Sequence, residues 1–416
     1  MKSVIEILDA LNLDRRFAPV LELEWHQSMA SFPASGLDFL ESEFYAKQLS
    51  AAGISVALRP LLDDVANQIK SSVELQLLAW HAHHYLCYSE TMPSFTKWPE
   101  LESIFEFNCG LFYLLIGLSA IPVFSRTFRK LGLPTDCAYN TADWLKGTVE
   151  LYQSAHNGYP GHSRQQLYWI RNYIQGKLFR IGRFEFMSQD FPASYGFLVL
   201  KNRVSGQVTA IASAGIACSA DGMIVYPDQM PENTFFVTSL LRDAISVTGH
   251  PISPRGFICR NQVRLAWADW ESILQPGDFT PGIHIPGGGK MTLSSCRDSL
   301  QEALAFYRRY FPERPVKAFL CDSWIFNPDL ESLLPESNLA QLMRQVYLFP
   351  VPSTGKDGLF FIFGREDGEL TDYPRNNSVR RALLSILDAG KRLRSGGMFY
   401  LPEHLEQFGT QYYRTQ

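Results

Sequence analysis

The chain reads as an α+β protein in which a helical N-terminal domain, residues 1–160, precedes a domain of short strands with flanking helices, residues 161–416. Three observations predict this. Apolar residues recur at helical spacing through the first third, and short apolar runs bounded by turn residues dominate after Gln165. Between the two textures lies the turn-rich stretch His156-Asn-Gly-Tyr-Pro-Gly-His162, which stops a helix and marks a domain boundary.

In the first part, Val65, Ile69, Val73, Leu77, Trp80, His84 and Cys87 step by three and four residues, one face of a single long helix. The nineteen residues Phe107–Ser125 carry no charge and approach the length of a bilayer span. Asn108, Gly110, Gly117, Ser119 and Pro122 interrupt this run, and a buried core helix is the expected outcome. In the second part, strands are expected at Lys177–Met187, Tyr195–Leu200, Met223–Tyr226, Gly282–Pro286, Val316–Cys321, Tyr347–Pro350 and Leu359–Gly364. Leu293, Cys296, Leu300, Leu304 and Tyr307 form the stripe of a helix over 293–310, with Thr292 to cap it and Pro312 to end it. A further helix is expected over about 338–346. A last one begins near Ser378, capped by Asn376 or Asn377, and runs to a stop at Gly396-Gly397.

Composition narrows the function. Hydrophobic residues make up 46% and charged ones 19%, with 29 Phe, 18 Tyr and 8 Trp, so the chain can bury a large core and is not disordered. The net charge of −4 and the absence of a long Lys/Arg run argue against a nucleic-acid partner. Seven scattered cysteines with no Cys-x-x-Cys pair, and acids at Glu6, Asp9 and Asp14 where a signal peptide needs an apolar run, point to a cytoplasmic protein. No membrane partner is expected, and a homodimer stays open. His81-Ala-His-His84 with Cys87 invites a zinc reading. His84 and Cys87 fall on the apolar stripe, however, and no second ligand pair stands nearby, so no metal is expected.

The segment that carries chemistry is Gly282-Ile-His-Ile-Pro-Gly-Gly-Gly-Lys-Met-Thr292, followed at once by a helix. Three glycines between a strand and a helix N-terminus let several backbone N–H groups approach an anion, and the helix dipole favours negative charge there. It is not a P-loop, because Lys290 is followed by Met291, and it is not the early GxGxxG of a dinucleotide fold. A plain tight turn is the simpler alternative.

The order of elements (strand, glycine loop, long helix, strand, helix, two closing strands) resembles the conserved half of the GNAT superfamily of N-acetyltransferases. Specific strings are similar to a narrower group, bacterial acyltransferase-domain proteins that pair a helical N-terminal domain with a GNAT-like C-terminal domain. These strings are Ile170–Phe186, Pro276-Gly-Asp278 leading to His284-Ile-Pro-Gly-Gly-Gly289, Tyr310-Phe-Pro-Glu313, and Phe319–Trp324 leading to Leu334–Asn338. The resemblance implies a GNAT-like mixed β-sheet and transfer of an acyl group from acetyl-CoA or another acyl-CoA to a small amine or peptide acceptor. It implies that Ile285, Gly287, Gly288, Gly289, Lys290, Met291 and Thr292 hold the CoA phosphates.

Acyl transfer to an amine needs a base and donors that polarise the thioester. His284, two residues before the glycine loop, is the preferred base, acting by direct attack in a ternary complex. The alternative is a structural histidine. Glu185 alternates with apolar neighbours and is a second base candidate, although an exposed carboxylate paired with Arg183 or Arg180 is the simpler reading. Cys321 is a nucleophile candidate for a ping-pong route, against the default of a buried thiol, and Ser323 a donor to CoA or the leaving thiolate. Trp267, Trp270 and Trp324 could line a pocket, with core packing the default. Two features depart from the GNAT pattern: Ile285–Lys290 replaces the usual Gln/Arg-x-x-Gly-x-Gly/Ala loop, and the helix after Asn338 offers Gln341, Met343 and Arg344 where many relatives place a tyrosine acid. The acid is therefore unassigned, and a non-catalytic protein that binds or senses acyl-CoA is the alternative function.

Overall fold

The computed structural model describes residues 2–415. The chain forms two compact units, Met1–Arg180 with Pro286–Gly288, and Ile181–Ile285 with Gly289–Gln416. The turn-rich stretch 156–162 lies inside the first unit.

The first unit is helical. The single long helix expected over residues 65–87 is two, α1 (Arg59–Ser71) and α2 (Val73–Tyr88). Ser72 between them is extended, and its hydroxyl accepts the Leu75 N–H at 3.2 Å as the cap of α2. A β-region cap residue cannot continue the preceding helix, so one apolar stripe serves two elements. The long apolar segment centres on α3 (Cys109–Ser119), all of whose residues are buried, with α1 and α2 among the helices packed on it. The buried core helix expected over 107–125 is thus confined to 109–119: Phe107 is exposed, and residues past Ala120 belong to a separate helix, Ile121–Lys130. At about 1.5–3 kcal/mol for each fully buried large apolar side chain, α3 is a leading contributor to the unit's stability.

A six-stranded mixed sheet underlies the second unit, all of its strands lying there except the edge strand Leu178–Ile181, whose first three residues fall in the first unit. Its strands are β1 (Leu178–Ile181), β2 (Phe184–Met187), β3 (Gly282–His284), β4 (Phe319–Ser323), β5 (Tyr347–Pro350) and β6 (Gly396–Tyr400), in the spatial order β1-β2-β3-β4-β6-β5. β3 and β4 run parallel, joined by the helix α4 (Leu293–Tyr310), while β2/β3, β4/β6 and β6/β5 are antiparallel. Parallel neighbours need a crossover, and α4 supplies it. Residues 188–281, between β2 and β3, form a separate five-stranded antiparallel sheet and smaller ladders around Leu200, Ile211 and Val247, against which Trp267 and Trp270 pack.

Four expectations are corrected. The strand expected over 177–187 is the hairpin β1–β2. Residues 223–226 make only an isolated bridge, Cys218 to Ile224. Leu359–Phe363 is a short helix rather than a strand, closed at both ends by left-handed glycines, Gly358 and Gly364. The last helix, α6, spans Ser378–Asp388 with Asn377 as its cap, and it ends before Gly396-Gly397, which lie in β6. The helix after the β4 region, α5, spans Asn338–Met343.

Candidate active site

The parallel ladder between β3 and β4 is registered at Gly282↔Leu320, and β4 runs three residues past that point. Across the antiparallel ladder His284 stands directly opposite Glu185. Opposite residues in a ladder share a sheet face, and alternate residues along a strand do so too. His284, Glu185 and Asp322 therefore belong to one face near the ends of β3 and β4, and Cys321 and Ser323 to the other.

His284 is half-buried, and burial pushes its imidazole down to about 4, opposed in part by the nearby Asp322 carboxylate. At neutral pH it is therefore an uncharged proton acceptor. Glu185 is buried at 2% exposure, so the reading of an ordinary exposed strand carboxylate is overturned. Its neighbours explain this: Phe184 and Phe186 are buried as well, so both faces of β2 are covered. Asp322 is exposed and accepts a hydrogen bond from the Tyr195 hydroxyl at 3.2 Å. Burial and that carboxylate push the Tyr195 phenol far up, which keeps it a donor, and its ring packs edge-on to Phe349 of β5 at 5.2 Å.

Beyond β3, residues 285–292 lead into α4. Gly288 adopts φ +87°, a conformation that side chains resist, and no atom lies within 4 Å of where a Cβ would stand on Gly287 or Gly288. The loop is thus exposed backbone with room beside it. At Gly289 the Arg183 side chain comes within 3.2 Å of the same position, which sets a guanidinium against the loop. Thr292 caps α4, its hydroxyl accepting the Ser295 N–H at 3.2 Å, while Lys290 is exposed and Ile285 and Met291 are half-buried. Open glycines, a cationic side chain and the start of an eighteen-residue helix suit a pyrophosphate.

Cys321 is buried, and burial, reinforced by Asp322, pushes its thiol far up, the opposite of an activated nucleophile. Ser323 caps the turn 324–326, accepting the Ile325 N–H at 3.5 Å. In the first unit the histidines of α2 are held by hydroxyls: His81 Nδ1 lies 2.8 Å from Ser28 Oγ, and His83 Nδ1 lies 2.7 Å from Ser119 Oγ. Among the described residues no group of three or more His, Cys, Asp or Glu could hold a metal ion.

Three residues of this site, Asp322, Tyr195 and Arg183, were not singled out for it from the sequence. Alternation along β4 would have set Asp322 on the face opposite Cys321 and Ser323. Nothing local marks Tyr195, which reaches the site from more than eighty residues upstream of β3.

Residues 178–399 match the GNAT-like C-terminal domain family. Among solved structures, an acyltransferase mutant in complex with octanoyl-CoA aligns with a TM-score of 0.65 at 19% identity, over 96% of this chain and 100% of that one. An acyltransferase in complex with CoA and 10C-teicoplanin gives 0.63 at 18% identity, over 95% and 98%. One in complex with decanoyl-CoA and teicoplanin gives 0.61 at 19%, over 95% and 98%. At such identities the likeness is one of fold. No curated protein matches the sequence. Because the family match spans more than half of the 416 residues, from the first strand of the six-stranded sheet to the last, the chain belongs to the GNAT-like C-terminal domain family.

Proposed function

We propose that the protein is an acyltransferase that moves an acyl group from acyl-CoA to an amine acceptor, by direct attack in a ternary complex. The observation that carries this reading is the continuity of β3, glycine loop and α4: the strand bearing a neutral His284 runs straight into an anion cradle. The backbone of Gly287–Gly289, with Arg183, Lys290 and the start of α4, would hold the CoA phosphates. The thioester would lie toward the ends of β3 and β4. His284 takes a proton from the acceptor amine, directly or through water. The amine nitrogen then bonds to the carbonyl carbon, the C–S bond breaks, and CoA leaves as a thiolate that takes up a proton. Glu185 and Asp322, on the same face, stabilise the imidazolium that forms, and Tyr195 anchors Asp322. Cys321 takes no part.

The solved neighbours hold octanoyl- and decanoyl-CoA, so these are the donors to test first, beside acetyl-CoA. The teicoplanin and 10C-teicoplanin in two of those structures make amines on larger molecules reasonable acceptors to include. We further propose a cytoplasmic location, in keeping with seven free cysteines. The test is calorimetric titration with CoA and acyl-CoAs beside a dephosphorylated pantetheine control, followed by release of free CoA thiol in an amine screen. Phosphate-dependent binding with thiol release supports the enzyme. Binding with the thioester left intact across the screen favours the acyl-CoA sensor, and no binding overturns both.

A further inference from the structure

A cavity of about 490 Å³ opens on the first, helical unit. One part of its lining, Glu102, Glu106 and Phe107, comes from the short helix Glu102–Phe105 and the turn that leads into α3. The other part comes from the end of the helix Trp144–Ala155 and from His156, Asn157 and Tyr159, in the turn-rich stretch that reads in the sequence as a domain boundary. Tyr152 and Cys109 are the buried members of the lining. Close approach holds the two parts together: a Cβ on Gly110 would stand 2.4 Å from the Tyr152 ring, and one on Gly161 would stand 2.6 Å from the Gly110 Cα.

The lining is acidic and aromatic. Glu102 and Glu106 are exposed, no Lys or Arg lines the cavity, and neither carboxylate has an ion-pair partner among the described residues. Glu100, close by in the chain, is already neutralised by Arg164 at 2.6 Å. Two negative charges therefore stand uncompensated at the cavity. Burial raises the Tyr152 phenol and the Cys109 thiol, and the Glu102 carboxylate raises both further, so its field reaches the buried part of the lining. Phe107 is 65% exposed and Tyr159 39%, and their rings lie parallel, 4.6 Å apart at 9°. His156, also exposed, stacks on Tyr152 at 3.7 Å, and its Nδ1 donates to the Tyr152 carbonyl at 2.9 Å, which leaves Nε2 of the neutral ring an acceptor. Open aromatic faces beside unpaired carboxylates match an organic cation: the rings attract the charge and cover an apolar body, and the carboxylates accept its N–H groups.

We propose that this cavity binds a small arylalkylamine as its ammonium ion, the charge held by Glu102 and Glu106 and the ring laid against the Phe107/Tyr159 pair. A concave site of this volume suits a small molecule, for which roughly 300–1,000 Å³ is usual, better than the face of a protein partner. A bare metal ion is a poor match, because no group of three or more His, Cys, Asp or Glu among the described residues could hold one. The site stands independently of the acyltransferase reading.

The test titrates the full chain by calorimetry with phenethylammonium, with its neutral counterpart 2-phenylethanol, and with Mg²⁺. Phenethylammonium should bind saturably and at least tenfold more tightly than the alcohol, and Mg²⁺ should not displace it. The double variant Glu102→Gln/Glu106→Gln, which keeps the shape and removes the charge at two exposed positions, should weaken binding at least tenfold, and Phe107→Ala should weaken it about threefold. Both variants should keep the circular dichroism and melting temperature of the parent. No saturable binding, equal affinity for the alcohol, displacement by Mg²⁺, or unaltered affinity in both variants overturns the site. An acyl acceptor and a ligand apart from the reaction share this chemistry. With phenethylamine as acceptor in the transfer assay, the double variant raises the acceptor KM about tenfold at unchanged kcat if the cavity holds the acceptor, and leaves KM unchanged if it holds a separate ligand. The binding arms read the site whether or not CoA binds, so failure of the acyltransferase reading shows separately.

Discussion

His284 and Cys321 sit on neighbouring strands with opposite prospects, and their surroundings decide which is chemically useful. Burial disfavours the charged form of each: it leaves imidazole neutral and able to accept a proton, but it leaves the thiol protonated and unreactive. His284→Gln should lower kcat by about 10²- to 10⁴-fold, the usual range for loss of a general base, while CoA affinity by calorimetry stays the same. Because the imidazole titrates near 4, His284 should add no acid limb to kcat/KM between about pH 8 and about pH 5 once the separately measured ionisation of the acceptor amine is divided out. An acid limb centred near the ordinary imidazole value of about 6.5 would assign the base to another group. Cys321→Ala should leave turnover within about threefold of the parent, since a covalent route needs a thiolate that this site suppresses. A collapse of activity in that variant, with the fold retained by circular dichroism, would revive the ping-pong route.

Glycines define the working elements, in two different ways. In the loop, Gly288 has an open surround and a left-handed backbone, so Gly288→Val costs about 1–2 kcal/mol of local strain without a clash. Its expected outcome is a sharp loss of CoA affinity with cooperative unfolding retained; unchanged affinity would remove the loop from the binding site. In β6 the reason is close approach: a Cβ on Gly396 would stand 2.0 Å from the Phe326 carbonyl oxygen, and one on Gly397 would stand 2.1 Å from the Phe349 ring. A pair of glycines reads locally as a helix stop, and only the neighbours across the sheet show that it is a strand pressed against other groups. Thr292→Ala, which removes the cap of α4, should cost about 1 kcal/mol and lower the melting temperature by a few degrees.

Four histidines whose imidazoles burial holds neutral, three buried and His284 half-buried, make the stability of the whole chain sensitive to acid. Burial lowers His81 and His83 to about 3 and His162 and His284 to about 4. Unfolding restores the ordinary value near 6.5, so below that pH the unfolded chain binds protons that the folded chain does not. The stabilising contribution is complete above about pH 6.5 and is lost progressively as the pH falls toward the folded-state values. The urea midpoint at about pH 5 should therefore lie clearly below that at about pH 7.5. Equal midpoints would mean that these imidazoles are not held neutral by the fold.

The sequence by itself determined the α+β class, the buried helix at Cys109–Ser119, the capped helix after the glycine loop and the loop itself, because each rests on local physics: apolar periodicity, a capping hydroxyl, residues without a Cβ. Local signals also misled. The apolar run Leu359–Phe363 satisfies strand and helix alike, and a continuous stripe hid the break at Ser72. Tertiary structure alone decided that β6 lies between β4 and β5, that Glu185 is buried, and that Tyr195 reaches Asp322. Register across strands and burial on both faces are properties of partners distant in the chain, and no window of neighbouring residues encodes them. A strand shows which of its residues share a face; only the sheet shows what that face meets.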